Sequence, residues 1–316
     1  MAAPKKLLAI IGATGNQGFS TALTVLDSPH LSSLYSVRAI SRDPNNPKMR
    51  DLAAKGASLA RADLNDPSSL PTALKDAHTL FFMTATQYDG STRAVETAQA
   101  KAVCAAALAA GVQYIIFSSM SHPYAISGGA LANVDIFDAK AEIEAYIRSL
   151  PVQSAFVAPG SFMQNFSMQL RPRRAEATEG ADEWVIMNCV RGDTLVPWID
   201  VTETGKWVGA ILAEPDKYEG KFFAAAAELA SFDQAAKTLS RVTGKTVKYV
   251  QVPDEVFKSF LPPPIKESLC EMWVLNREYG YFGKDMHALV QWAKDQVDGE
   301  LTGFEAFLRR EEYALE

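Results

Sequence analysis

What this 316-residue chain lacks narrows what it can be. Its three cysteines, Cys104, Cys189 and Cys270, are odd in number and far apart, which excludes a disulfide framework and fits reduced thiols. No pair of them has zinc-ligand spacing, so no metal is expected. No stretch approaches the ~20 apolar residues of a membrane helix, and the apolar run 7–11 behind Lys5 and Lys6 is too short for a signal peptide. A cytoplasmic protein with no membrane association is expected, with the nucleus as a second compartment. Basic blocks are missing as well. The 31 Lys and Arg against 37 Asp and Glu leave a net charge of −6, without the positive footprint that grips nucleic acid by its phosphates. Direct nucleic-acid binding is therefore not expected, and any part in transcription would run through a protein partner.

What is present is an ordinary globular balance, 48% hydrophobic and 22% charged, enough for one large α/β domain or two smaller ones. Apolar, β-rich runs recur at 7–11, 37–40, 58–60, 80–83, 114–117 and 155–157. Runs of this kind suit strands buried on both faces. Helical stretches separate them, most clearly 94–110, with Gly111 placed as a C-cap. The alternation predicts βαβαβ units and a parallel sheet. After Gly160 the pattern changes: 171–174 is basic and 176–183 reads as a polar loop. Strands are predicted at 196–199, 221–225 and 247–252, and helices at 231–243, 265–277, 285–296 and 303–310. Pro262, Pro263 and Pro264 mark a stiff loop between helices.

The strongest local signal is Gly12-Ala13-Thr14-Gly15-Asn16-Gln17-Gly18, after the first apolar run and before a helix-like segment. Gly12 permits a tight turn, Gly15 lets the backbone approach a pyrophosphate, and Gly18 allows the helix to pack closely on the strand. Thr14, Asn16 and Gln17 are further candidate contacts of a dinucleotide whose phosphates sit on the helix N-terminus. A glycine-rich surface turn is the competing explanation. At the end of the second strand an acid would bond a ribose 2′-hydroxyl, whereas a base would accept a 2′-phosphate. Arg42 stands there, with Asp43 one position late, which favours NADP(H) over NAD(H); the alternatives are that Arg42 only caps a loop and that Lys48 nearby faces water. Asp63 and Leu64 follow the third strand as adenine contacts, although Asp63 equally suits the N-cap of the following turn. Thr84, Ala85 and Thr86 end the fourth strand, where doubly wound sheets bind ligands. Gln87 and Tyr88 are candidates to border the nicotinamide and the substrate pocket, with solvated loop positions as the alternative.

Several segments together resemble one family: the loop 12–18, 37–43 with Ser41 and Arg42, 114–120 with Ser118, Ser119 and Met120, 137–144 around Lys140, and 158–166 with Asn165. They look like an NmrA-like protein of the atypical short-chain dehydrogenase superfamily, with 118–124 leaning towards the fungal branch. Segments 196–201 and 303–308 are similar to later family elements. The resemblance implies an α/β fold, a doubly wound Rossmann parallel sheet with a smaller mixed C-terminal substrate domain. Residues 1–158 would form the dinucleotide domain, with segments returning around 195–228, while 159–194 and 229–316 would close the cleft. It implies NADP(H) or NAD(H) as cofactor, and either of two activities. One is an NADPH-dependent reductase of a small electrophilic aromatic, quinone, imine or carbonyl substrate. The other is a non-catalytic NAD(P)-sensing regulator that binds a transcription factor.

Ordinary short-chain dehydrogenases carry a Tyr four residues before a Lys, on one helix face, so that the Lys lowers the Tyr pKa. Here the position four before Lys140 is Ile136, and Tyr146 lies about 240° around the helix from Lys140. The usual proton donor is missing. Lys140 remains the candidate catalytic residue and ribose contact that the resemblance implies, with a solvated helix lysine as the alternative. His122 and Tyr124, in the loop after the fifth strand, are the remaining candidate acids, with an ordinary loop role as the alternative for each. Ser118, Pro159, Gly160 and Phe162 fall where the cofactor's nicotinamide end is expected. Met120, Phe162, Asn165 and Phe166 are candidates for the substrate pocket, with Met163 and Met168 beside them and plain core packing as the alternative for much of 162–168; Trp198, Trp273, Tyr279 and Tyr281 are further wall positions, with core packing as their default reading. His30, His78 and His287 have no convergent partners.

Overall fold

The computed structural model describes residues 4–175 and 183–315. The apolar runs of the first half become β1 (Lys6–Ile11), β2 (Tyr35–Ser41), β3 (Ser58–Arg61), β4 (Thr79–Phe82), β5 (Tyr114–Ser118) and β6 (Gln153–Pro159). The chain continues through β7 (Ser161–Phe162), β8 (Arg173–Arg174), β9 (Glu183–Asn188), β10 (Leu195–Ile199), β11 (Phe222–Ala225), β12 (Glu228–Ser231) and β13 (Thr246–Gln251). Seven strands form one sheet in the order β11-β6-β5-β4-β1-β2-β3, and every pairing in it is parallel. The strand order reverses between β1 and β4, so the crevice beyond their C-terminal ends is the place where such a sheet takes a ligand.

Both faces of this sheet are apolar because alternate side chains point to opposite sides. Leu8, Ile10, Val37, Phe81 and Ile116 face one way, packed with Ala22 and Val25 of helix Asn16–Asp27 and with Trp207 and Ile211 of helix Thr204–Ala213. Ala9, Ile11, Leu80, Phe82 and Phe117 face the other way, against Val103 and Ala107 of helix Thr92–Ala109 and Ile143 and Ile147 of helix Asp135–Arg148. Two faces buried by helices leave no polar alternation in the strands, which is why they read as continuous runs. No helix among the described residues is long and apolar enough to cross a membrane.

The second half builds two small sheets, β12-β10-β7 and β13-β9-β8. The predicted returning strands divide between sheets: β11 pairs with β6 in the large sheet, whereas β10 pairs with β7 and β12 outside it. Helix Phe232–Thr243 is closed at both ends by its sequence, with a Ser231/Gln234 capping box and Gly244 at φ +70°. The triple proline forms the turn before helix Lys266–Glu278. Of the predicted polar loop 176–183, only Glu183 lies within the described residues, at the start of β9.

One expectation is corrected here. Phe166, read as pocket wall, is fully buried in the core of the second half, its ring 5.1 Å from Trp198 and 4.4 Å from Phe304. Its backbone carbonyl accepts the Tyr313 hydroxyl at 2.6 Å, which seats the 3₁₀ turn Met163–Ser167 against the C-terminal segment. Phe166→Ala is therefore expected to cost about 3–5 kcal/mol, the range for truncating a packed aromatic. Urea unfolding monitored by circular dichroism measures this, and a change below about 1 kcal/mol would return Phe166 to the wall.

Candidate functional site

The glycine loop leaves β1 and is tied at once to β2, since the Gly12 and Ala13 N–H groups both donate to Ile40 O at 3.1 Å. Gly12 has φ +80°, a left-handed conformation that costs a residue with a Cβ. A Cβ on Gly18 would lie 2.3 Å from Gly12 O, so only glycine lets the helix start this close to the strand end. Gly15 is the N-cap of helix Asn16–Asp27, and neither a capping side chain nor an acid of the first turn satisfies its free N–H groups. A helix end of this kind binds an anion through those groups and the helix dipole. The loop thus fits a pyrophosphate on its backbone geometry alone.

Three cations stand near the end of β2 and the glycine loop. Arg42 is exposed just past β2, Lys48 Nζ donates to Thr14 O at 3.2 Å, and Arg61 Nε donates to Arg42 O at 3.2 Å. Arg61 was not singled out from sequence, because its approach depends on the β2–β3 pairing. Asp43 turns into its own loop, where Oδ1 accepts the Asn45 N–H. Asp63 does the same, accepting the Asn65 N–H at 3.0 Å, while its N–H donates to Ser69 Oγ.

At the other end of the loop Ser118 Oγ donates to Gln17 Oε1 at 2.9 Å, joining β5 to the first turn of the helix. Here a cavity of about 670 Å³ begins. It brings together Gln17, Thr84, Thr86, Tyr88, Ser118, Met120, Lys140, Pro159, Gly160, Phe162 and Asn165 from the sequence-derived set, with Trp273 and Tyr281 also in its lining. Ala85 is held by its N–H, which donates to Gln99 Oε1. Gln87 is folded back on its own loop through Nε2 to Ala85 O and does not line the cavity. Trp198 belongs to the second core rather than to the wall.

Lys140 is not a solvated helix lysine. Its side chain is 12% exposed, and Nζ donates to Thr86 Oγ1 at 2.9 Å and to the fully buried Glu96 carboxylate. Thr84 Oγ1 donates to the same Glu96 oxygen as Lys140, and Thr92 Oγ1 donates to the other at 2.8 Å. Burial pushes the Lys140 pKa below the ordinary lysine value, and the Glu96 charge opposes that shift. Glu96 was missed in the sequence. The signal was available, since it shares a helix face with Ala100, Val103 and Ala107, all buried, and an acid on such a face requires a partner.

The two candidate acids are corrected. His122 and Tyr124 do not line the cavity. His122 Nδ1 lies 2.6 Å from Oδ1 of the buried Asp138, the Tyr124 N–H donates to the same oxygen, and the Tyr124 ring is exposed. Asp138 thus uses the loop to satisfy Oδ1, while Oδ2 has no hydrogen bond among the described residues and lies 3.7 Å from the Arg93 guanidinium. Ile136 lines the cavity where the dehydrogenase tyrosine would stand. Ser119 is committed to Glu144 at 2.5 Å. Cys189 and Cys270, distant in sequence, meet with Asp254 so that their ligand atoms lie within 4.8 Å of one another, but that carboxylate already binds the Arg277 guanidinium at 2.7 Å.

A model of the NmrA-like family matches residues 4–308. The chain is 27% identical over 307 residues to the NmrA-like family domain-containing oxidoreductase hkm9 of Aspergillus hancockii, covering 90% of this chain and 87% of that one. Among solved structures it superposes on NmrA, a negative transcriptional regulator, with a TM-score of 0.79 and 25% identity over 97% of this chain and 95% of that one. NmrA in complex with NAD and with NADP gives TM-scores of 0.79 and 0.78. The Citrobacter sp. triphenylmethane reductase complexed with NADP(H) shares the fold at a TM-score of 0.72, with 22% identity over 96% and 99% of the two chains.

A buried lysine–carboxylate pair has a recognisable energetic signature. Lys140→Met and Glu96→Gln are each expected to destabilise the protein by about 3–5 kcal/mol, because each leaves one buried group uncompensated. The double variant should recover at least about 2 kcal/mol relative to the sum of the two. Urea unfolding of all four proteins closes the cycle, and strictly additive losses would show that the two charges do not depend on each other.

Proposed function

The chain belongs to the NmrA-like family of NAD(P)-binding oxidoreductases, and from that premise we propose that it is an NADP(H)-dependent reductase of a small electrophilic aromatic, quinone, imine or carbonyl compound. The observation that carries this reading is the cavity. At about 670 Å³ it extends from Gln17 and Ser118 past Lys140 into a wall of Met, Phe, Leu and Trp side chains, within the size range of a small-molecule site and with room beyond a nicotinamide ring.

Each residue has a part that follows from its placement. Gly12, Gly15 and Gly18 shape the turn that receives the pyrophosphate on free N–H groups. Arg42, aided by Lys48 and Arg61, offers charge-assisted hydrogen bonds to a 2′-phosphate, which favours NADP(H). Lys140, held by Glu96 and Thr86, reaches the ribose with its orientation already set. When bound, the dinucleotide supplies a hydride to the substrate. Asn165 and Phe162 stand where the substrate would lie against the ring. With Ile136 in place of a hydroxyl, the acidic proton nearest the inner wall is that of Lys140 Nζ, made a better donor by burial. Substrates that are already electrophilic suit a site with so little acid.

The regulator reading draws on the apolar Ile136 and on the likeness to NmrA. Two measurements separate the readings. Titration calorimetry is expected to show tighter binding of NADPH than NADH, with Arg42→Ala weakening NADPH at least tenfold and NADH less than about twofold; equal effects would remove the role of Arg42. In an NADPH-oxidation screen over quinones, imines, enones and aryl aldehydes, the charge-balanced Lys140→Met/Glu96→Gln variant is expected to lower turnover at least about tenfold, roughly 1.4 kcal/mol of lost orientation. An empty screen beside tight NADPH binding would turn the assignment to the regulator.

A further inference from the structure

The charge on the cavity wall runs against the charge of the chain. Acids outnumber bases overall, yet among the described residues lining the cavity the charged side chains are Lys140, Arg171 and Arg173, and none is a carboxylate. Lys140 is already matched by Glu96 at the inner end. Arg171 and Arg173 are not matched: neither guanidinium has an ion-pair or hydrogen-bond partner among the described residues. Both are exposed while Pro172 between them is buried, as expected of an extended segment with alternate residues on opposite sides. Arg173 is pinned opposite Val185 by the β8–β9 pairing, and Val185, Ile186 and Met187 continue the same wall.

We propose that the cavity selects an amphipathic anion, an aromatic or otherwise apolar body carrying a carboxylate that docks on Arg171 and Arg173. The outer wall, with Leu170, Met187, Phe260, Leu269, Met272 and Trp273, receives the apolar body. Two unpaired guanidiniums at its edge match a carboxylate in charge and in hydrogen-bond geometry and repel a cationic compound of the same shape. The cofactor's phosphates do not account for them. Those belong at Gly12–Gly18 beside the large sheet, whereas Arg173 lies in the small sheet β13-β9-β8.

This assignment deepens the reductase reading and rests on it, but its test is a binding measurement that requires no turnover. Quenching of tryptophan fluorescence, with calorimetry as a second readout, is used to compare 2-naphthoate, the neutral 2-naphthamide and the cationic 2-naphthylmethylammonium. Naphthoate is expected to bind at least tenfold more tightly than the amide, with the cation weakest and the preference shrinking as salt is raised. Arg171→Gln/Arg173→Gln should make acid and amide equal by weakening the acid alone, and Arg171→Glu/Arg173→Glu should place the cation first, both with an unchanged thermal midpoint and unchanged NADPH affinity. Equal binding of acid and amide to the wild-type protein, parallel loss of both in the variants, or no binding of any probe at millimolar concentration would overturn the proposal. An ordered series beside an empty NADPH-oxidation screen would leave the anion site standing and remove the reductase.

Discussion

A parallel sheet that is apolar on both faces must be covered on both, and most of this molecule follows from that requirement. Helices Thr92–Ala109 and Asp135–Arg148 cover one face. The other is only partly covered by helix Asn16–Asp27, and after a long excursion the chain adds helix Thr204–Ala213 to that face and β11 to the β6 edge of the sheet. The excursion begins at β7 and builds the small sheets beyond the C-terminal ends of the strands. A cavity at the strand-order reversal is the consequence, roofed by segments whose own apolar core, around Trp198, Phe166 and Phe304, is separate from the sheet.

Polarity inside this apolar setting is arranged in compensated groups. Glu96 is fully buried and is met by three donors, two threonine hydroxyls and the Lys140 ammonium. Asp138, equally buried, gathers His122 and the Tyr124 N–H, with Arg93 3.7 Å away. An isolated carboxylate at either place would carry a desolvation penalty of several kcal/mol. The two groups differ in what they leave available. The Glu96 group presents an ammonium to the cavity wall, whereas the Asp138 group uses its partners to fix a loop.

The two ends of the cleft divide their work between backbone and side chains. At the glycine loop the fit to an anion depends on φ, on close approach and on uncapped N–H groups, with Lys48 bonded to Thr14 O and Arg61 to Arg42 O nearby. The lining contributed by 161–273 is mostly apolar, with Ser161, Asn165, Gln169, Arg171 and Arg173 as its polar members. The backbone cradle and the side-chain wall are thereby built from parts of the chain that can vary independently.

By itself the sequence determined the elements whose chemistry is local. Strands buried on both faces leave uninterrupted apolar runs, so β1, β2, β4, β5 and β6 were legible with their edges off by at most two residues. Gly12 and Gly18 were legible because a left-handed turn and a 2.3 Å approach exclude any other side chain. Helical periodicity says which residues share a face, but not what that face meets. The tertiary structure alone decided that Glu96 meets Lys140 across 44 residues, that β10 leaves the large sheet and that Phe166 is core. It also turned His122 away towards Asp138 and brought Arg171 and Arg173 to the cavity. Each depends on which distant surfaces dock, and docking is settled by the summed burial of both faces of the sheet rather than by any one segment.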